Sequence, residues 1–290
     1  MKLLVKFNLI YVGVMALGLA VSGLMARSLL VDNAQEEVLN TARMLIDKAN
    51  AVRGYTTNQI TKLLQTQMKY EFLPQSVPSY SAVEVLGSLQ AKYPEFAYKE
   101  ATLNPTNPRD RAVGWEVDIV SQFRSNAELK ESYGQRDTPT GPSLWIARPL
   151  RITNPACLEC HSSVEAAPKT LVDRYGPANG FGWQLNEVIG AQVISVPMSL
   201  PLARAERSFR VFMLSQVGVF VAVGIVLNLM IWFVIVRPVT RLSALADRVS
   251  QGELDAPEFG KAGRDEIGTL AASFSRMRAS VVQAMRMLEN

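Results

Sequence analysis

Two stretches of the chain carry no charged side chain. Residues Phe7–Ala26 and Val211–Val236 are each long enough to cross a hydrocarbon core of about 30 Å as a helix. Between them the pattern becomes mixed. Val38, Ala42, Leu45, Ala49 and Val52, then Ile60, Leu63 and Leu64, recur at helical spacing and predict a long helix from Val38 to about Gln67. Pro74 to Tyr80 breaks it, and Val83–Lys92 reads as a short second helix. Phe96–Leu103 reads as a strand running into a turn-rich loop from Asn104 to Arg111. Trp115, Ile119 and Phe123 predict a helix continuing towards Tyr133 before Gly134. Leu144–Ile152 alternates with the period of a strand. Val164–Tyr175 is expected to form a short helix, Gly176–Trp183 a loop, and Val188–Met198 a buried closing strand. The region is therefore expected to be a compact α+β unit.

Beyond the second span the polar pattern turns helical again. Leu242, Leu245 and Val249 mark an amphipathic helix that stops at Gly252, and a loop from Glu253 to Arg264 follows. Ile267, Leu270, Phe274, Met277, Val281, Ala284 and Leu288 then step alternately by three and four, a heptad seam that buries its apolar edge against other helices. The expected divisions are residues 1–6 as a cytoplasmic N-terminus, 7–27 and 211–236 as spans, 28–210 as a folded domain, and 237–290 as the C-terminal helical pair.

Charge gives the spans a direction. Lys2 and Lys6 precede the first, and Arg237, Arg241 and Arg248 follow the second, which places both ends in the cytoplasm even though Arg204, Arg207 and Arg210 crowd the opposite flank. The first apolar run is longer than a usual signal-peptide core and lacks a clear small-x-small site, so an uncleaved anchor is expected. The net charge of +4 is not a nucleic-acid signature, because residues 31–208 hold 18 basic and 19 acidic side chains and the excess flanks the spans.

Chemistry concentrates in one place. The two cysteines and the one histidine of the 290 residues all lie in Cys157-Leu158-Glu159-Cys160-His161. Two thiols three apart with an imidazole directly after the second form the pattern by which haem is attached covalently, the histidine reaching the iron as proximal ligand. A closed zinc site would lack its fourth ligand. A thioredoxin-like pair usually opens a helix after a strand, whereas this pair follows Asn154-Pro155-Ala156; a plain disulfide is the third alternative. One covalent haem c per chain is expected, outside the cytoplasm, and no catalytic triad, metal cluster or phosphate loop argues for an enzyme.

Two resemblances extend this reading. Arg237-Pro238, the connector glycine Gly252 and Asp265-Glu266-Ile267-Gly268-Thr269-Leu270 resemble a HAMP linker, the helical relay of bacterial transmembrane receptors. The middle is similar to periplasmic c-haem sensor domains with a PAS-like fold. The matching segments are Arg53-x-Tyr55-Thr56, Tyr98 to Ala101, Asn104 to Pro108, Arg148-Pro149, Cys157 to His161, Ala167-Pro168, Tyr175-Gly176 and Gly180 to Trp183, in the family's order. The resemblance implies a sensor dimer with haem against the sheet and the long first helix. In that family a Cys or Met ahead of Arg-x-Tyr-Thr can be the distal ligand, but Ala49, Asn50, Ala51 and Val52 stand there in this chain.

With a single histidine per chain, the sixth iron position is expected to be open or water-bound, or filled by a methionine, with Met44 and Met68 on the long helix and Met198 as candidates. Arg53 and Arg148 are candidate partners of the haem propionates, because guanidinium suits carboxylates, and Tyr55 is grouped with them. The expected protein is a two-span, homodimeric receptor of the bacterial inner membrane. It would sense redox state or a small haem ligand in the periplasm and pass the signal through the cytoplasmic HAMP helices to a separate cytoplasmic signalling protein, since no output domain follows in the sequence. A membrane-anchored electron-transfer cytochrome is the alternative, which leaves the HAMP region without a role.

Overall fold

The structure is a computed structural model that describes residues 3–94, 96–139, 141–253 and 265–288. Lys2, the connector from residue 254 to Arg264, and the Leu288 side chain lie outside the described residues. The chain divides into two compact units, one of Arg27–Ser208 and one combining Met1–Ala26 with Phe209–Asn290.

In the Arg27–Ser208 unit a four-stranded antiparallel sheet runs in the order β1-β4-β3-β2, built from β1 (Ala97–Thr102), β2 (Ser132–Thr138), β3 (Gly141–Arg151) and β4 (Val188–Pro197). Both faces are covered. Helix α1 (Leu3–Tyr55) lays Val38, Leu39, Ala42, Leu45 and Ile46 on Leu144, Ile146, Ile194 and Val196 of one face. The alternate residues of the same strands, Ala147, Ala191 and Val193, pack on the other face against Ile119, Val120 and Phe123 of α4 (Trp115–Ser125). The period of two along β3 and β4 assigns their buried side chains alternately to one helix or the other.

The strand expected to close the domain sits inside the sheet. Val188–Pro197 pairs with β1 on one side and β3 on the other, and being buried on both faces it reads as an apolar run without alternation. Gly190 is required there, because a Cβ would come within 2.3 Å of the Ala101 carbonyl oxygen.

Three sequence expectations need correction. The helix from Trp115 ends at Ser125, where Asn126 turns extended and its side chain caps the next turn by accepting from Glu128 N. Tyr133 and Gly134 belong to β2, an edge strand with mostly solvated side chains and hence no apolar alternation to reveal it. Helix α3 begins at Pro78 rather than Val83 and runs to Lys92, its proline occupying the first turn, where a missing N–H costs nothing. Along α1 the helix continues through a single π turn, Thr56–Ile60, into α2 (Thr61–Met68), with the Thr61 hydroxyl donating to the carbonyls of Thr56 and Ser76.

In the other unit two helices, α1 and α7 (Ser199–Ile231), are long and apolar enough to cross a membrane. A π turn, Trp232–Val236, precedes α8 (Arg237–Ser250), where Pro238 cannot supply its helical N–H. In α9 (Glu266–Leu288) the seam meets α8 through Ala271, Ile267 and Phe274, which pack with Leu242, Leu245 and Val249. Leu270, Met277 and Val281 of the same heptad series stay about half exposed in the single chain.

Candidate functional site

Strand β3 delivers the chain to the cysteine motif. Asn154 ends the extended segment by accepting a hydrogen bond from Ala156 N, and Pro155 opens a 3-10 turn, Pro155–Cys157, that runs into the short helix α5 (Leu158–His161). Residues three and four apart lie on one face of such a turn, so Cys157, Cys160 and His161 project together. Both thiols are free and half-buried. Burial raises the Cys157 thiol while the nearby Arg53 charge opposes it; burial also raises that of Cys160, reinforced by Glu159 and Cys157. Among the described residues no three His, Cys, Asp or Glu side chains are grouped to hold a bare metal ion.

His161 is held from two sides. Its Nδ1 lies 2.7 Å from the Gly180 carbonyl oxygen. A carbonyl only accepts, so Nδ1 carries the proton and Nε2 is left with its lone pair, the state in which imidazole ligates a metal. The ring stacks on Trp183 with centroids 3.9 Å apart and planes inclined by 16°. Burial lowers the His161 pKa, the Gly180 carbonyl working against it, which favours neutral imidazole. Beneath the motif, Cys160 packs in an apolar cluster with Met68, Phe72, Ala167, Leu171 and Phe181.

The other sequence-predicted residues distribute as follows. Arg53, half-buried on α1, pairs with the buried Glu100, which also accepts from the Tyr98 hydroxyl. Burial alone would lower the Arg53 pKa, but Glu100 raises it; burial and Glu100 also keep Tyr98 protonated. Gln192 Nε2 continues the network to Asn50 Oδ1 and Tyr98 Oη, at 2.9 and 3.0 Å. Arg148 is bound by Asp47 at 2.6 Å and Glu131 at 3.1 Å. Tyr55 is exposed, Met44 is half-exposed, and Met198 is a core residue 2 % exposed. Met68 is the candidate methionine that shares a cluster with the motif.

Arg53 and Arg148 share one opening of about 480 Å³, within the range of small-molecule sites. It exists because β2 ends opposite Ala147, leaving the edge of β3 unpaired from Arg148 onward, where Pro149 has no N–H to leave unsatisfied. Lys130, Arg151, Thr153, Asn50 and Gln192 complete the wall. The opening is cationic, and Thr153 ties it to the segment leading into Cys157. Sequence reading missed Lys130 and Arg151, which belong to no motif, and missed Gly180 as a partner because the group involved is a backbone carbonyl.

A family model described as Tll0287-like matches residues 31–197, and a HAMP domain model matches residues 233–283. Among solved structures, that of the cyanobacterial haem-protein Tll0287 is 15 % identical with a TM-score of 0.44, covering 56 % of this chain and 95 % of its own. No curated protein matches the chain.

Proposed function

The chain belongs to the Tll0287-like family, and on that premise we propose that it is a two-span membrane receptor whose folded domain carries one covalent haem c and whose HAMP helices relay its state. The observation that carries the reading is the fit of the donor set. Two thiols and an imidazole share one helical turn, with Nδ1 committed to Gly180 and Nε2 left to ligate. In this reading Cys157 and Cys160 hold the porphyrin through thioether bonds and His161 is the proximal ligand. Lys130 and Arg151 at the opening suit the two propionates, which Arg53 and Arg148 would join by exchanging their present carboxylate partners, and Met68, packed beside Cys160, is favoured over the half-exposed Met44 wherever a protein group fills the sixth position. When bound, haem supplies a one-electron redox centre and an iron able to take a further ligand.

The domain lies in the periplasm of a bacterial inner membrane, in agreement with the lysines and arginines at the cytoplasmic ends of the spans. The protein works as a homodimer in which the exposed heptad residues Leu270, Met277 and Val281 meet a second chain, so that a separate cytoplasmic protein reads the packing of the helices. A receptor needs an element with two arrangements that both ends can bias. The HAMP pair is that element, and its presence favours a sensor over an electron carrier.

The test is a haem-staining denaturing gel of the membrane fraction, with Cys157→Ala and Cys160→Ala beside the wild type. Stain should follow the wild-type band and disappear when both thiols are removed. An unstained wild-type band would overturn the reading.

A further inference from the structure

The segment Asn104–Thr106 sits far from the cysteine motif in sequence yet holds the group that holds the histidine. Asn104 Oδ1 accepts from Gly180 N and its Nδ2 donates to the Phe181 carbonyl, each at 3.3 Å. One side-chain amide thus grips both ends of the Gly180–Phe181 unit. The Gly180 carbonyl between those two grips receives His161 Nδ1 at 2.7 Å.

The surroundings leave this loop little freedom. Gly180 has φ +87°, and a Cβ there would stand 2.0 Å from Thr106 Oγ1 and 2.9 Å from Thr106 Cα, so both the conformation and the contact require glycine. Thr106 Oγ1 is buried against this spot with no hydrogen-bond partner among the described residues, a cost that packing on Gly180 must offset. Further along, Gly182 N donates to the Ser162 carbonyl at 3.0 Å and Trp183 N to the His161 carbonyl at 3.1 Å. These bonds satisfy carbonyls at the end of α5 and bring the Trp183 ring onto the imidazole.

We propose that Asn104 is a positioning residue for the iron ligand: by pinning the Gly180–Phe181 peptide it fixes the carbonyl that polarises His161, and so sets the reduction potential of the haem. The inference rests on the haem assignment made above. A strong hydrogen bond from Nδ1–H to a fixed carbonyl increases the basicity of Nε2 and favours ferric iron. Loosening the carbonyl therefore raises the potential. The same physics accounts for the Asn104-Pro105-Thr106 segment as a whole, in which the asparagine clamps and the threonine forms the wall that Gly180 packs against.

The experiment uses the full-length, haem-loaded protein in detergent, with Asn104→Ala, Asn104→Ser and, as control, Asn107→Ala. Asn107 caps the next turn of the same loop, its side chain accepting from Arg109 N at 3.2 Å rather than reaching the 180–183 loop. Haem content, potentiometric midpoint and the ferric EPR spectrum are measured on each. The Asn104 variants should keep their covalent haem, titrate at a higher potential and show altered g-values, while Asn107→Ala matches the wild type. Equal potentials and EPR spectra in wild type and Asn104→Ala would overturn the proposal. So would failure of both Asn104 variants to accumulate with haem, since Asn104 would then be a folding residue. Absence of covalent haem from the wild type would instead defeat the haem assignment itself.

Discussion

The two units of this chain solve the same problem, which surfaces meet and in what register, with opposite means. In Arg27–Ser208, apolar burial selects the partners, at about 25 cal/mol per Å² removed from water. The buried polar groups then have to be satisfied in place: Glu100 by Arg53 and Tyr98, Glu116 by Lys99 at 2.7 Å and Val113 N at 3.0 Å, and Gln192 by Asn50 and Tyr98. In the other unit the two apolar helices fit a membrane, where Leu against Leu gains nothing over Leu against lipid. There the meeting of α1 and α7 is marked by Asn8 and Asn228, which exchange reciprocal side-chain hydrogen bonds of 2.8 Å. Tyr11 donates to the Phe220 carbonyl and lies against Gly224, where a Cβ would stand 3.0 Å from the ring. Polar groups are the consequence of packing in one unit and its cause in the other.

Variants on the two sides should separate accordingly. Glu100→Leu removes the acceptor of a half-buried guanidinium and a half-buried phenol, so the largest loss is expected here, about 3 kcal/mol by urea denaturation followed on the Arg27–Ser208 unit. A loss of less than about 1 kcal/mol would mean that the network is incidental to stability. Gly190→Ala forces a methyl group against the Ala101 carbonyl and should cost about 1–3 kcal/mol in the same assay.

In the spans, Asn8→Leu and Asn228→Leu should each weaken helix pairing by about 1 kcal/mol, and the double variant by little more than either single one. The readout is disulfide cross-linking between Gly23→Cys and Met213→Cys, positions in contact at the far end of the pair. Unchanged cross-linking would show that lipid-facing packing alone sets the register.

The smallest effect is a pH slope. Burial raises the Asp110 carboxyl to about 6 against the pull of Arg109, with Glu100 adding to the rise. Its folded pKa lies above the unfolded value near 4, so the folded state holds the proton more tightly. The stability this group contributes is present below about pH 4 and lost as pH rises through about 6. Asp110→Asn should flatten that part of the stability curve and be neutral or stabilising at about pH 7 by roughly 1 kcal/mol, discounted for partial exposure. A slope that survives the substitution would assign it to another group.

Much of the fold was legible because it follows from period. The helical phase of Val38, Ala42, Leu45 and Ala49 marks the buried side of α1, and Leu144, Ile146 and Val188–Met198 mark the sheet. Edge strand β2 was not legible, since Ser132–Thr138 presents mostly polar side chains and its place comes from hydrogen bonds to β3. The ion-pair partners of Arg53 and Arg148 were equally hidden: Glu100 and Glu131 are ordinary carboxylates until the sheet and the long helix bring them within reach.

By itself the sequence determined the two long apolar helices, the HAMP pattern and the cysteine motif, because each depends on the spacing of neighbouring residues along one helix or one turn. Tertiary structure decided what surrounds the histidine. The Gly180 carbonyl and the Trp183 ring reach it, and the Asn104 amide reaches Gly180, across chain separations that no local period encodes, and the decisive contact is made by a backbone atom that every residue possesses.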